Sequence, residues 1–215
     1  MEHNLERNCI YNMDCAEGLR ALEAGSVDII FTDPPYIAAM YEEAYGILAE
    51  HGARVLRPGG WLITYAPQYH LPEVIQILGE SGLEYYWTVA QLNQSNANSV
   101  VYPRHVMAMW KPILVYAKPP IERPPRAFCD LVSGKRMKQH HPWEQSIHEA
   151  LALLSRFAAP GNLVVDPFAG SGTILLAAKL LGLQYIGFEI DPAAHQMALE
   201  RMQQVPIVLF DYGED

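Results

Sequence analysis

The chain has little of what would place it in a membrane or outside a cell. Its three cysteines, Cys9, Cys15 and Cys129, form no CxxC pair and no even set. That excludes a disulfide framework and a cysteine-based zinc site, and free thiols point to a reducing, cytoplasmic setting. No apolar run is long enough to cross a bilayer, and the opening MEHNLERN is too polar for a secretory leader. Internal repeats and low-complexity tracts are missing as well. Charge is sparse at 18%, against 50% hydrophobic residues in 215. Such a chain folds around a core rather than staying disordered, and its length suits one domain over 1–215 with short irregular insertions. Positive charge is scarcest: 15 Lys and Arg against 24 Asp and Glu, a net charge of −9. Taken alone, that sum counts against a nucleic-acid partner.

The distribution of charge matters more than its sum. Between Lys118 and Lys138 lie six bases (Lys118, Arg123, Arg126, Lys135, Arg136, Lys138) and two acids, Glu122 and Asp130. A basic segment, counted here as 118–141, thus rides on an acidic body. Charge runs usually mark a solvated loop, and composition by itself favours that reading. Arg104 and His105 follow an amide-rich stretch, where they suit either phosphate contact or plain solvation.

What the sequence does have is a series of short apolar strands that end in an acid. Cys9–Met13 runs into Asp14, Val27–Thr32 into Asp33, Leu163–Val165 into Asp166, and Tyr185–Phe188 into Glu189. Trp61–Tyr65 and Ile113–Ala117 are further strand candidates. Helical periodicity covers 41–56, 71–80, 146–158, 173–181 and 192–204, the last with Asp191 as cap and Pro192 in the first turn. Strands alternating with helices predict an α/β fold with a mostly parallel, doubly wound sheet covered on both faces. Ligands of such folds sit beyond the carboxyl ends of the strands, where strand order reverses. All four acids would collect there. The stretches 91–103 and 119–141 read as irregular excursions.

Two motifs carry chemistry. In "DPFAGSGT", residues 166–173, a strand meets a tight glycine turn and then a helix. Gly170, Ser171 and Gly172 let a ligand approach the backbone, where N–H groups favour polar or anionic partners. The turn lacks the Gly-Lys-Ser/Thr ending of a phosphate-binding P-loop. Glu189, 17 residues after Gly172 at the end of the next strand, is placed to accept both hydroxyls of an adenosine ribose. The other motif, "DPPY" at 33–36, ends a strand on an acid, two prolines without N–H groups, and an aromatic ring. Either motif alone is compatible with an ordinary turn. His140, His141 and His148 match no familiar zinc spacing, so no metal is expected. Tyr85, Tyr86, Trp87 and Trp110 read as core or flanking contacts.

Together, "DPPY" followed by "DPFAGSGT" resembles the amino-group DNA methyltransferases, which methylate adenine N6 or cytosine N4 with S-adenosylmethionine. Their order, catalytic tetrapeptide first and cofactor loop last, is similar to the permuted β-type. "VLRPGGWLITY" at 55–65 and "WKPILVYAK" at 110–118 extend the match over most of the chain. The resemblance implies a Rossmann-like class I methyltransferase fold. It also implies a catalytic corner of Asp33, Pro34, Pro35 and Tyr36. The cofactor set it implies is Asp14, Asp33, His141, Asp166, Phe168, Ala169, Gly170, Ser171, Gly172, Thr173 and Glu189. Many relatives carry HPTQKP before the cofactor loop; here the segment reads His141-Pro142-Trp143-Glu144-Gln145-Ser146, without the lysine and second proline.

The implied chemistry is consistent with the corner's composition. Asp33 and the carbonyl oxygen of Pro34 would accept hydrogen bonds from an exocyclic amine and aim its lone pair at the methyl donor. Tyr36 would stack on the base, flipped from a duplex or presented single-stranded. Arg104, Lys118, Arg123, Arg126, Lys135, Arg136 and Lys138 would contact DNA, and pairing of two copies would enlarge so short a recognition segment. Asp rather than Ser at the head of the tetrapeptide favours adenine. The alternatives are a cytosine-N4 enzyme, an RNA or protein-glutamine methyltransferase, and a catalytically silent nucleic-acid-binding module.

Overall fold

The four acid-ended strands lie side by side in one sheet of the computed structural model, which describes residues 5–36, 40–92, 99–101, 104–133 and 147–204. In chain order the elements are β1 (Cys9–Asn12), α1 (Cys15–Ala21), β2 (Val27–Thr32) and α2 (Tyr41–Ile47). A π-helical turn (Leu48–Gly52) leads to the short α3 (Ala53–Val55), then β3 (Leu56–Tyr65), α4 (Leu71–Gly79) and β4 (Glu84–Leu92). There follow β5 (Ser99–Val101), β6 (Val106–Ala108), β7 (Trp110–Ala117), β8 (Leu131–Ser133) and α5 (Ile147–Phe157). The remainder is β9 (Leu163–Asp166), α6 (Thr173–Leu180), β10 (Gln184–Glu189) and α7 (Pro192–Gln204).

Eight strands pair in the order β1-β10-β9-β2-β3-β7-β4-β8, and β5 with β6 forms a separate antiparallel hairpin. All pairings in the large sheet are parallel except those of β7, which runs against β3 and β4. Chain order reverses between β9 and β2, which are joined through Ile29–Val164 and Ile30–Val165. The two motifs, distant in sequence, therefore end on adjacent strands at the switch point of the sheet.

The sheet is apolar on both faces because its central strands alternate between two cores. Ile29, Phe31 and Val164 face a cluster built with Leu153, Phe157, Leu175 and Ala177, from α5 and α6. Ile30, Leu62 and Val165 face a cluster built with Leu19, Tyr45, Leu48 and Leu78, from the opposite layer. A strand covered on both sides reads as a continuous hydrophobic run, which is how Val27–Thr32 reads. Each fully buried Ile, Leu or Phe contributes about 1.5–3 kcal/mol. Packing is tight enough that a Cβ on Gly187 would meet Leu175 Cδ1 at 2.2 Å.

Several expectations change. The excursion at 91–103 is partly regular: β4 reaches Leu92, and 99–108 contains the β5–β6 hairpin. The 119–141 stretch is not wholly irregular either, since Leu131–Ser133 adds a strand beside Ala90–Leu92. Tyr86 packs edge-on against Trp61 at 4.9 Å, as a core contact should, while Tyr85 and Trp87 are half exposed. Among the described residues, no helix is long and apolar enough to cross a membrane. No group of three or more His, Cys, Asp and Glu there is arranged to hold a metal ion.

Candidate active site

The two strand ends at the switch point are tied to each other. Thr32, the last residue of β2, donates its hydroxyl to Asp166 Oδ1 at 2.7 Å across 134 positions of sequence. The next residue, Asp33, is partly buried and surrounded by donors. Lys111 Nζ lies 3.0 Å from both carboxylate oxygens, and the Tyr36 hydroxyl donates to Oδ1. The same ammonium stands 4.5 Å from the ring centroids of Tyr36 and Tyr65, a cation–π slot closed by two aromatic faces. Burial, and then the charge of Asp33, raise the Tyr36 phenol well above its ordinary value, so it stays a donor. Tyr65 is fully buried, stacks on Phe31 at 5.9 Å, and points its hydroxyl to Glu149 at 3.4 Å.

Lys111 reaches this corner because β7 is antiparallel. Its register places Ile113 opposite Tyr65 and Lys111 opposite Gln91, so the start of β7 lies beside the carboxyl ends of β3 and β4. Strand direction is a long-range property, so the letters "WKP" gave no signal of this proximity.

The glycine loop is built from below by Asp166. Its carboxyl is 1% exposed and accepts from Thr32 and, at 3.1 Å, from the N–H of Phe168. Asp166 thus shapes the turn from underneath. Gly170 and Gly172 take φ of +50° and +77°, where a side chain would be strained. The Gly170 N–H donates to Glu189 Oε2 at 2.7 Å, and the Asp191 N–H donates to Oε1 at 2.8 Å. On the other side, Arg201 of α7 donates to the Ser171 carbonyl and hydroxyl, both at 2.8 Å, and to the Thr173 hydroxyl at 3.1 Å. Those two hydroxyls are turned toward α7. Sequence reasoning missed Arg201, since nothing in a helical pattern says which residue meets a distant loop.

Between these elements lies a cleft of about 310 Å³, lined by Asp14, Pro35, Phe168, Phe188, Glu189 and Ile190, with Met40, Glu43 and Ala44 from the α2 side. It joins the Asp33–Tyr36 corner, through Pro35, to the start of the glycine loop. Apolar walls suit a flat heterocycle, and carboxylates suit ribose hydroxyls, so these residues fit the adenosine part of S-adenosylmethionine. Asp14 borders the cleft while its Oδ1 caps α1, accepting from Ala16 and Glu17 N–H at 2.9 and 3.2 Å. Cys15 lines the cleft too, and burial pushes its thiol up to about 12, so it is no nucleophile there.

Among the described residues the bases do not form one patch. Arg104 stands over the Tyr69 ring at 5.5 Å, just after β3, at the site end of the sheet. Lys118 follows the far end of β7 and donates to the carbonyls of Leu56 at 2.7 Å and Arg54 at 3.3 Å. That places it at the opposite end of the strands from Asp33. Arg126 is also remote from the corner, its N–H donating to the Arg156 carbonyl in the last turn of α5. Arg123 is exposed between them. The chain then climbs to β8 beside the carboxyl end of β4. Lys135, Arg136, Lys138 and His141 come after it and lie outside the described residues.

The geometry agrees with comparisons to known proteins. Residues 27–200 match a family model described as DNA methylase. The type II methyltransferase M.HpaI of Haemophilus parainfluenzae is 26% identical, covering 86% of this chain and 71% of that protein. The DNA adenine methyltransferase YhdJ of Escherichia coli K12 is 25% identical, covering 92% and 83%. Among solved structures, the M1.HpyAVI–SAM complex superposes with a TM-score of 0.72 at 22% identity, covering 90% of this chain and 98% of that one. The cytosine-N4-specific PvuII DNA methyltransferase superposes at 0.77 and 18% identity, covering 93% and 91%. A match spanning most of the chain, on a fold whose two motifs meet at one switch point, shows that this protein belongs to the N6/N4 amino DNA methylase family, whose members use S-adenosylmethionine.

Proposed function

We propose that the protein transfers a methyl group to the N6 amine of adenine in DNA, with the target base flipped into the corner at Asp33. When bound, S-adenosylmethionine would supply an activated methyl group, its sulfur keeping the electron pair of the C–S bond and the amine's proton passing to solvent. The chain's own residues supply position. Asp33 and the Pro34 carbonyl accept the amine's hydrogens, which localises its lone pair, and Pro34-Pro35 stiffen the acceptor pair. Glu189 and the cleft walls hold the adenosine of the cofactor, and the glycine loop leaves room for it beside the backbone. Tyr36 offers its face to the base, a contact worth about 1–3 kcal/mol.

The observation that carries this reading is the pairing of β2 with β9, which sets Asp33 beside the cofactor loop. The choice of adenine rests on Asp at the head of the tetrapeptide and is supported by the similarity to YhdJ. Isotope-labelled S-adenosylmethionine, unmethylated DNA and digestion to nucleosides provide the test. Label in N6-methyladenine is expected. Label in N4-methylcytosine would overturn the adenine assignment, and label confined to RNA or protein would overturn the DNA assignment. Asp33→Ala is expected to abolish transfer while calorimetry finds cofactor binding largely intact.

A further inference from the structure

Lys111 occupies both places that a target base would need. Its ammonium touches both Asp33 oxygens at 3.0 Å and covers the Tyr36 ring at 4.5 Å. We propose that Lys111 is the positioning residue of the catalytic corner. It holds the Asp33 carboxylate in plane until the base arrives, then yields one oxygen to the amine and keeps the other. The proposal rests on the reading of Asp33 as the acceptor of the amine.

The two prolines fix the backbone after Asp33, the Tyr36 hydroxyl donates to Oδ1, and the Lys111 ammonium spans both carboxylate oxygens. A carboxylate has about four lone-pair positions and an ammonium three donors, so the ion pair can lose one contact and remain a pair. The side chain suits the exchange: a compact charge on a flexible stem shifts without unpacking its neighbours, unlike a planar guanidinium. Tyr65, packed on Phe31 and anchored toward Glu149, already offers the ammonium a second aromatic face at 4.5 Å, which remains when a base covers Tyr36. Glu149 is itself fixed by Gln91 Nε2 at 2.7 Å, on the residue paired with Lys111. The slot is therefore rigid on the side away from the base.

The test compares K111M, which keeps the length of the stem without the charge, with K111R, which keeps the charge. Steady-state methylation of DNA at saturating cofactor is measured, with cofactor binding by calorimetry and thermal melting as companions. K111M is expected to lose kcat by about 100-fold, the cost of a misaimed catalytic group. Its KM for DNA, its affinity for cofactor and its melting temperature should stay near wild type. K111R should recover part of the lost kcat. Wild-type kcat in a folded K111M overturns the proposal, as does a loss shared equally by kcat and cofactor affinity. If K111M fails to fold, K111Q against K111R makes the same comparison, and equal kcat in the two overturns it. D33A separates this inference from its foundation. Inactive D33A beside fully active K111M sinks the role of Lys111 alone, whereas active D33A removes the reading of Asp33 and this inference with it.

Discussion

Burial raises the Asp166 carboxyl from its ordinary value to about 7, although hydrogen bonds from Thr32 and the Phe168 N–H pull the other way. The folded protein therefore binds a proton at Asp166 that the unfolded chain releases near pH 4. The sign follows: this contribution to stability is fully present below the unfolded pKa and is lost as pH rises toward 7. Asp166→Asn keeps an acceptor for both donors and removes the titration. The difference in melting temperature between D166N and wild type should therefore grow in favour of D166N from pH 4 to pH 7 and level off above. Parallel melting curves across that range would show that Asp166 stays ionised in the fold. The same residue marks a limit of reading sequence. "DPF" announced a strand end at a cofactor loop, but not that the acid faces inward. The side-chain direction depends on Thr32, a neighbour that only the β2–β9 pairing supplies.

At the scale of elements, what was legible was local. Apolar runs ended where they should, Pro192 opened α7, and the tight glycine turn fell between β9 and α6. What was not legible was pairing between distant segments, and the candidate site is made of it. Lys111 depends on the direction of β7, and Arg201 depends on how α7 packs beside the loop. β4 escaped notice because Tyr85, Tyr86 and Trp87 give it no clean alternation, and a register shift at Tyr85/Trp87 breaks the pattern further. Arg201 makes the element-level point testable. Its three contacts to Ser171 and Thr173 hold the first turn of α6 against α7, and a charged hydrogen bond is worth about 1.5–3 kcal/mol. Arg201→Met should weaken cofactor binding by roughly tenfold, a change of about 1.4 kcal/mol. Transfer at saturating cofactor should be nearly unchanged. Calorimetry decides the first and a cofactor titration of initial rate the second; unchanged affinity would mean the loop holds its shape without α7.

For the whole molecule, an acidic protein that works on DNA has to keep its positive charge at one end. The sequence places six bases in one stretch, and of the described ones Lys118 and Arg126 lie away from the corner. Lys118 belongs to the foot of β3 and Arg126 to the neighbourhood of Arg156, whereas Arg104 stands near the carboxyl ends of the strands. The chain leaves β8 at that same end just before Lys135, Arg136 and Lys138. If binding is governed by phosphate neutralisation, only bases at the site end release counterions, at about 0.9 in the salt slope per contact. Lys118→Met should then leave the slope of log K against log salt unchanged. Arg104→Met should reduce it by about 0.9, and replacing Lys135, Arg136 and Lys138 together should reduce it by up to roughly 2.7. Fluorescence anisotropy with a short duplex over a range of salt gives all three slopes. A drop in slope for K118M as large as that for R104M would mean that DNA contacts the foot of the sheet as well, and the division of charge between the two ends would lose its meaning.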